Sequence, residues 1–179
     1  MPELRKKVFQ PELVMLVFAI LVSAFFKSLY FNGLVMADDF SYGVYAFSLF
    51  REPLPCSLLL PVAVLYRFFP PTEVVSVLYP LLLSFGAIVV VFGIARKLAG
   101  PTAGGFAALV MALMPGNIRF GTMLLPDVVA QFYIACAVLL FVYAEQAKDR
   151  KTFVWYALSG VSVFLAFNAR ENSYYFMLF

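Results

Sequence analysis

The stretch Val74–Ala95, VVSVLYPLLLSFGAIVVVFGIA, holds no charged side chain and ends directly on Arg96-Lys97. A helix that crosses a bilayer needs about 20 consecutive apolar residues, and this run supplies them. The chain around it has 179 residues, of which 64% are hydrophobic and only 13% charged. Soluble domains carry roughly a quarter charged residues. No soluble fold of this length has an interior able to hide so much apolar surface. The run is therefore read as a membrane span, with its basic close on the cytoplasmic side.

Working towards the N-terminus, the segment Pro53–Pro71 contains the apolar stretch Cys56–Phe69, which is too short to span and is interrupted by Pro61. A crossing there would also move Arg96, Lys97 and the later Lys148 cluster outside, against the positive-inside tendency. It is read as a juxtamembrane or re-entrant piece. Before it, Asp38 and Asp39 open a segment from Phe40 to Phe50 broken only by Gly43. The first span covers about Leu13–Phe31, behind Arg5, Lys6 and Lys7, with Lys27 expected to stretch its ammonium to the interface. This start resembles a signal peptide, but bulky Phe25, Phe26 and Lys27 follow the nearer cleavage candidate at Ala24, so the span is expected to be retained.

Towards the C-terminus, Gly100-Pro101 makes a turn, and Thr102–Leu113 forms a third span. Its Ala103, Ala107, Ala108 and Ala112 offer a small-residue packing face. An outer loop carries Arg119, and Pro126-Asp127 opens a fourth span that runs to Ala144. The loop Glu145–Thr152 returns the chain through Lys148, Arg150 and Lys151. Trp155 and Tyr156 are read as interface anchors of a fifth span, Phe153–Ala169, which delivers Arg170 and Glu171 to the outer side. The chain closes on the apolar run Tyr174–Phe179, which reads as the opening part of a longer protein, and such a fragment need not be active alone. The expected fold is thus all-α: a polytopic membrane helical bundle of about five transmembrane helices, plus juxtamembrane helices in the first outer loop. Residues 1–179 form one module, with residues 38–71 as that loop. The N-terminus is cytoplasmic and the membrane is the plasma membrane.

Histidine is absent. That removes a Ser-His-Asp triad, His-ligated zinc and an imidazole proton shuttle from this chain. Cys56 and Cys136 lie at different expected depths and suggest neither a disulfide nor a redox motif. The net charge of +3 sits in loops between apolar runs, so it orients the chain and is no nucleic-acid footprint. Acid–base work falls to Asp, Glu, Tyr or Lys.

The acids Asp38, Asp39, Asp127 and Glu171 all map to the outer ends of the spans. In a helix, Asp38, Tyr42 and Tyr45 form one stripe, while Asp39 points about 100° away. One carboxylate then caps the helix while the other faces a cleft, or both simply favour the positive helix end and stay in water. Asp127, after Pro126, has the same two readings. Arg119 is either a phosphate-binding fork or a solvated loop charge, and Arg170-Glu171 is either part of a site or an exposed ion pair. Convergence of carboxylates and arginines from three outer loops favours a site.

The acidic pair after the first span, Tyr42 three residues beyond it, the Pro-flanked apolar stretch and Pro126-Asp127 resemble the polytopic GT-C glycosyltransferases. The branch is that of the protein O-mannosyltransferases and lipid A aminoarabinose transferases. The resemblance covers nearly the whole chain as the N-terminal part of such an enzyme. One departure is Glu52-Pro53-Leu54-Pro55, where relatives often carry a His-Pro-Pro-Leu-like sequence. The resemblance implies that the catalytic residues are Asp38, Asp39 and Asp127, the last being the acid that opens the fourth span. It also implies a sugar donor on a polyprenyl phosphate and inversion at the anomeric carbon. Asp38 is the expected general base, and Arg119 or Arg170 stabilises the phosphate leaving group, with Tyr42 and Glu171 also on the substrate-binding side. The acceptor is a lipid, glycan or protein. No cofactor is expected; Asp39 and Asp127 are the carboxylates that would hold a divalent cation in a metal-dependent member. Two other functions fit the same composition. One is a transporter, which would place charges near the midplane; the other is a non-catalytic membrane assembly subunit.

Overall fold

The computed structural model describes residues 10–48, 55–147 and 151–170, and every regular element among them is helical. The first helix, α1 (Pro11–Leu29), has a proline in its first turn, where the missing N–H costs no hydrogen bond. It stops at Tyr30, whose N–H bonds Phe26 O. Two shorter helices follow, α2 (Ala37–Phe47) and α3 (Cys56–Phe68). The helix α4 (Glu73–Ala99) starts on Thr72, whose hydroxyl accepts from Val75 N, and ends at Gly100 with φ 91. A positive φ suits glycine, which has no Cβ to clash. Pro101 then opens α5 (Pro101–Leu113), and α6 (Pro115–Phe120), α7 (Pro126–Gln146) and α8 (Lys151–Ala169) complete the order.

Four helices, α1, α4, α7 and the part of α8 from Thr152 to Ala169, are long and apolar enough to cross a membrane. The third expected span is the 13-residue α5, about 20 Å long, which α6 continues after a break. The break is local chemistry: Pro115 pushes Met114 out of the helical region, to φ −63 and ψ 121. Pro61 does not interrupt the stretch after Cys56, contrary to expectation. It lies inside α3, near enough to the start that only one helical bond, to Ser57 O, is lost.

Two apolar clusters hold the bundle. One joins α1, α4 and α5 through Ala19, Ala87, Ile88, Phe92, Ala108 and Ala112. Gly104 lets α5 approach α4 closely: a Cβ there would stand 3.0 Å from Phe92 O and 2.9 Å from Arg96 Cβ. The other gathers Ala46, Leu58, Leu59, Val62, Val77, Leu124, Val129, Ala130 and Ala169 from α2, α3, α4, α7, α8 and the loop before α7. The register of α4 on α7 is parallel, since the Phe132 ring lies on Gly86 and Leu139 lies on Gly93, seven residues further along both helices. Large apolar side chains such as Phe18, Leu21, Val110, Phe141 and Phe164 remain on the outer surface. In lipid that exposure carries no hydrophobic penalty.

The two ends of the bundle differ. At one end Arg96 pairs with Glu12 at 3.5 Å, Lys97 sits 4.6 Å above the Tyr143 ring, and Tyr143 stacks on Trp155. At the other end Gly33 N donates to Thr122 O, and Asn32 reaches Thr122 Oγ1. Lys27 corrects an expectation. Its ammonium does not reach the interface but turns inward, 2% exposed, donating to Ser23 Oγ at 2.9 Å and lying 4.5 Å from the Phe85 ring centre. A hydroxyl one turn below and an aromatic face across the helix interface give the cation partners without snorkelling. Arg5, Lys6, Lys7, the Glu52-Pro53-Leu54 sequence, Lys148, Arg150, Glu171 and the run Tyr174–Phe179 lie outside the described residues.

Candidate active site

The end of the bundle that carries the Gly33–Thr122 contact also carries Asp38, Asp39, Tyr42, Asp127 and Arg170. Asp38 and Asp39 fall in the first turn of α2, where the helix dipole favours negative charge. Their environments are opposite. Asp39 is 0% exposed, and its Oδ2 accepts from Met36 N at 2.9 Å and from Val35 N at 3.2 Å. The N–H of the N-cap residue, left over at the helix start, and that of the residue before it are thereby satisfied. Its Oδ1 is buried and has no hydrogen-bond partner among the described residues. Asp38 is exposed, and its carboxylate makes no hydrogen bond or ion pair among those residues.

Tyr42 lies one turn beyond Asp38, with Tyr45 edge-on to it at 6.5 Å between ring centres. The Tyr42 phenol is held above its ordinary pKa, first by burial and then by the neighbouring Asp38 carboxylate. The Arg170 guanidinium acts in the opposite direction, so a charge from the end of α8 reaches the Asp38–Tyr42 stripe of α2. Arg170 in turn forms an ion pair, Nη1 to Oδ1, with Asp127 in the first turn of α7. Asp127 and Arg170 thus join the start of α7 to the end of α8, and the charge of Arg170 is felt at Tyr42 near the start of α2.

The backbone beneath these groups is fixed. Met123, Leu124, Leu125, Val128 and Val129 are all buried around the start of α7, and Ala169 beside Arg170 belongs to the same apolar cluster. Five tyrosines, Tyr42, Tyr45, Tyr66, Tyr79 and Tyr133, pack against that cluster. Tyr79 and Tyr133 pair through their hydroxyls at 3.0 Å, and Tyr66 bonds Ser76 Oγ at 2.6 Å.

Arg119 is exposed on the short α6 and makes no ion pair among the described residues. Nothing there joins it to Asp38. Glu171 lies outside the described residues. A carboxylate that sequence reading did not single out, Glu73, stands close to the loop before α2: a Cβ on Gly33, at φ 66, would meet its Oε2 at 3.0 Å. The Thr72-Glu73 pair that starts α4 was the available signal. No three metal-ligating side chains gather among the described residues. An apolar groove of about 410 Å³, lined by Ala46, Phe47, Leu60, Val64, Tyr66 and Arg67, lies at the far end of α2 from Asp38.

The arrangement offers one exposed carboxylate, one phenol and one guanidinium at the same end of the bundle. That set suits removal of a proton from a hydroxyl and stabilisation of a nearby anion.

Comparison with known proteins adds one match. The family model described as dolichyl-phosphate-mannose-protein mannosyltransferase matches residues 58–179, more than half of the chain. The matched region contains Asp127 and Arg170 and begins after Asp38 and Asp39. No curated protein and no solved structure matches.

Proposed function

The chain belongs to the dolichyl-phosphate-mannose-protein mannosyltransferase family, a membrane glycosyltransferase family of the GT-C type, and on that premise we propose a donor, a face and a division of roles. The donor is a sugar on a polyprenyl phosphate. The reaction takes place at the bundle end that carries Asp38, and that end faces away from the cytosol. The observation that carries the reading is the Arg170–Asp127 ion pair at the bundle end where Asp38 and Tyr42 open α2.

Asp38 is the general base. As the acceptor hydroxyl attacks the anomeric carbon, its proton passes to the Asp38 carboxylate, the new C–O bond forms, and the bond to the phosphate oxygen breaks with its electron pair. The polyprenyl phosphate leaves as an anion, which needs positive charge more than a proton, and Arg170 supplies it. The carboxylate charge also favours the oxocarbenium-like character of the sugar carbon in the transition state. Attack from the side opposite the phosphate gives inversion. The step uses no metal ion. Asp39 holds the start of α2 in place, and Tyr42 supports the substrate between Asp38 and Arg170.

Orientation follows from charge. Arg96 and Lys97 lie at the opposite end, and in the sequence Lys148-Asp149-Arg150-Lys151 stands between α7 and α8, so that end is taken as cytoplasmic; the proposed location is the plasma membrane. The acceptor is a lipid, glycan or protein hydroxyl. The test is transfer of radiolabelled sugar from a polyprenyl-phosphate donor by membranes containing the protein. Wild type transfers and Asp38→Asn does not; equal transfer by both would remove Asp38 from the mechanism. Uptake of solute into proteoliposomes, with no sugar transfer, would favour a transporter instead.

A further inference from the structure

We infer that Asp127 is a positioning residue: its ion pair aims the Arg170 guanidinium at the Asp38–Tyr42 face, so that the unused N–H donors of Arg170 meet the donor phosphate. The inference rests on the reading of the site as polyprenyl-phosphate dependent, and it takes Asp127 out of the catalytic group.

Both partners stand on rigid backbone. Asp127 is in the first turn of α7, between Leu125 and Pro126 before it and Val128 and Val129 after it, all buried. Its negative charge also sits where a helix start favours one. Arg170 follows Ala169, which is 3% exposed in the apolar cluster, and its own N–H bonds Ala166 O. Only the side chain of Arg170 has freedom left. A free arginine side chain spreads over many rotamers, and binding a phosphate with it means selecting one.

The ion pair makes that selection in advance while using only part of the guanidinium. An arginine carries five N–H donors in a planar fork. The contact with Asp127 runs from Nη1 to Oδ1, and the Arg170 side chain remains 48% exposed. The remaining donors are therefore open to a second anion from the solvent side, at the end of the bundle where Asp38 and Tyr42 open α2. The Asp127 carboxylate, 28% exposed, is engaged with the guanidinium and not with the Asp38 stripe.

The test reads binding separately from transfer. The purified protein in detergent is titrated with a polyprenyl monophosphate and with the polyprenol of the same chain length. Wild type is expected to prefer the phosphate. Arg170→Gln should lose that preference, and Asp127→Asn should weaken phosphate binding about tenfold while leaving polyprenol binding unchanged. The effect of Asp127→Asn should vanish in an Arg170→Gln background, because the residue acts only through Arg170. Asp127→Glu, which keeps the charge, should stay within about threefold of wild type and shows that a merely damaged fold is not the cause. If Asp127→Asn binds the phosphate as wild type does, or adds its effect to that of Arg170→Gln, the inference is overturned and the reading of the site stands. A wild-type protein indifferent to the phosphate overturns both together.

Discussion

The neighbouring acids Asp38 and Asp39 should fail in different ways when each is replaced by asparagine. Asp39 is fully buried and its Oδ2 accepts two backbone N–H groups. A hydrogen bond to a charged group contributes about 1.5–3 kcal/mol, and a neutral one about 0.5–1.5 kcal/mol. Asparagine keeps an acceptor oxygen for both bonds and loses the charge, a deficit of roughly 1 kcal/mol per bond. Its amide nitrogen replaces Oδ1, which has no partner among the described residues, so one unmatched polar atom exchanges for another. The net loss is about 2–3 kcal/mol, which lowers Tm by roughly 5–10 °C for a chain of this size. Asp38 is exposed and loses only its interaction with the helix start, about 0.3–1 kcal/mol. Removing a general base, by contrast, costs about 10²–10⁴ in rate. Asp38→Asn should therefore melt within a few degrees of wild type and lose transfer. Asp39→Asn should melt early yet, assayed well below its Tm, keep transfer within about tenfold. Thermal unfolding in detergent followed by the transfer assay checks both. An Asp39→Asn protein with wild-type Tm and no transfer would refute the argument, since buried capping would then be irrelevant and Asp39 would act on substrate.

Other consequences follow from single contacts. Gly104→Ala places a Cβ against Phe92 O and Arg96 Cβ, so α4 and α5 must separate slightly, and unfolding measurements should show a loss of about 1–3 kcal/mol; no change would mean that the two helices pack less closely. Lys27→Met exchanges a cation buried among apolar side chains for an apolar group of similar length, and Tm should stay equal or rise; a fall of several degrees would mean that the ammonium has stabilising partners beyond Ser23 and Phe85. Because Tyr42 is held above its ordinary pKa in the folded protein, the unfolded chain releases that proton first as pH rises. Its contribution to stability is full below pH 10 and declines above it, so Tyr42→Phe should flatten the alkaline loss of Tm; an identical alkaline profile would contradict this.

Much of the architecture was legible because a bilayer imposes a simple rule. Charge-free runs such as Val74–Ala95 and the fourth span beyond Asp127 have no alternative but to cross or pack along the membrane. Proline was harder to read. Pro115 ends α5 at Leu113, where the sequence placed the end of the third span, whereas Pro61 is absorbed near the start of α3, and the residue type alone gave no local hint of that difference. The direction of Lys27 was invisible because it depends on Phe85, far away in the chain. At the candidate site, helical periodicity separated Asp38 from Asp39 by angle, but only packing tells which of the two is buried. The pairing of Arg170 with Asp127 joins residues from opposite ends of two helices, and spacing along the chain carries no trace of it. Glu73 went unnoticed for the same reason, since it is the fold that brings it to Gly33.

Sidedness is the claim on which the proposed chemistry stands. In a cysteine-free background, with Cys56 and Cys136 replaced, single cysteines at positions 38 and 97 can be exposed to a membrane-impermeant maleimide on intact cells. Position 38 should label from outside, and position 97 should label only after the membrane is permeabilised. Labelling of position 97 alone on intact cells would put the Asp38 end in the cytosol, and a polyprenyl-phosphate transferase working on the outer face would not be this protein.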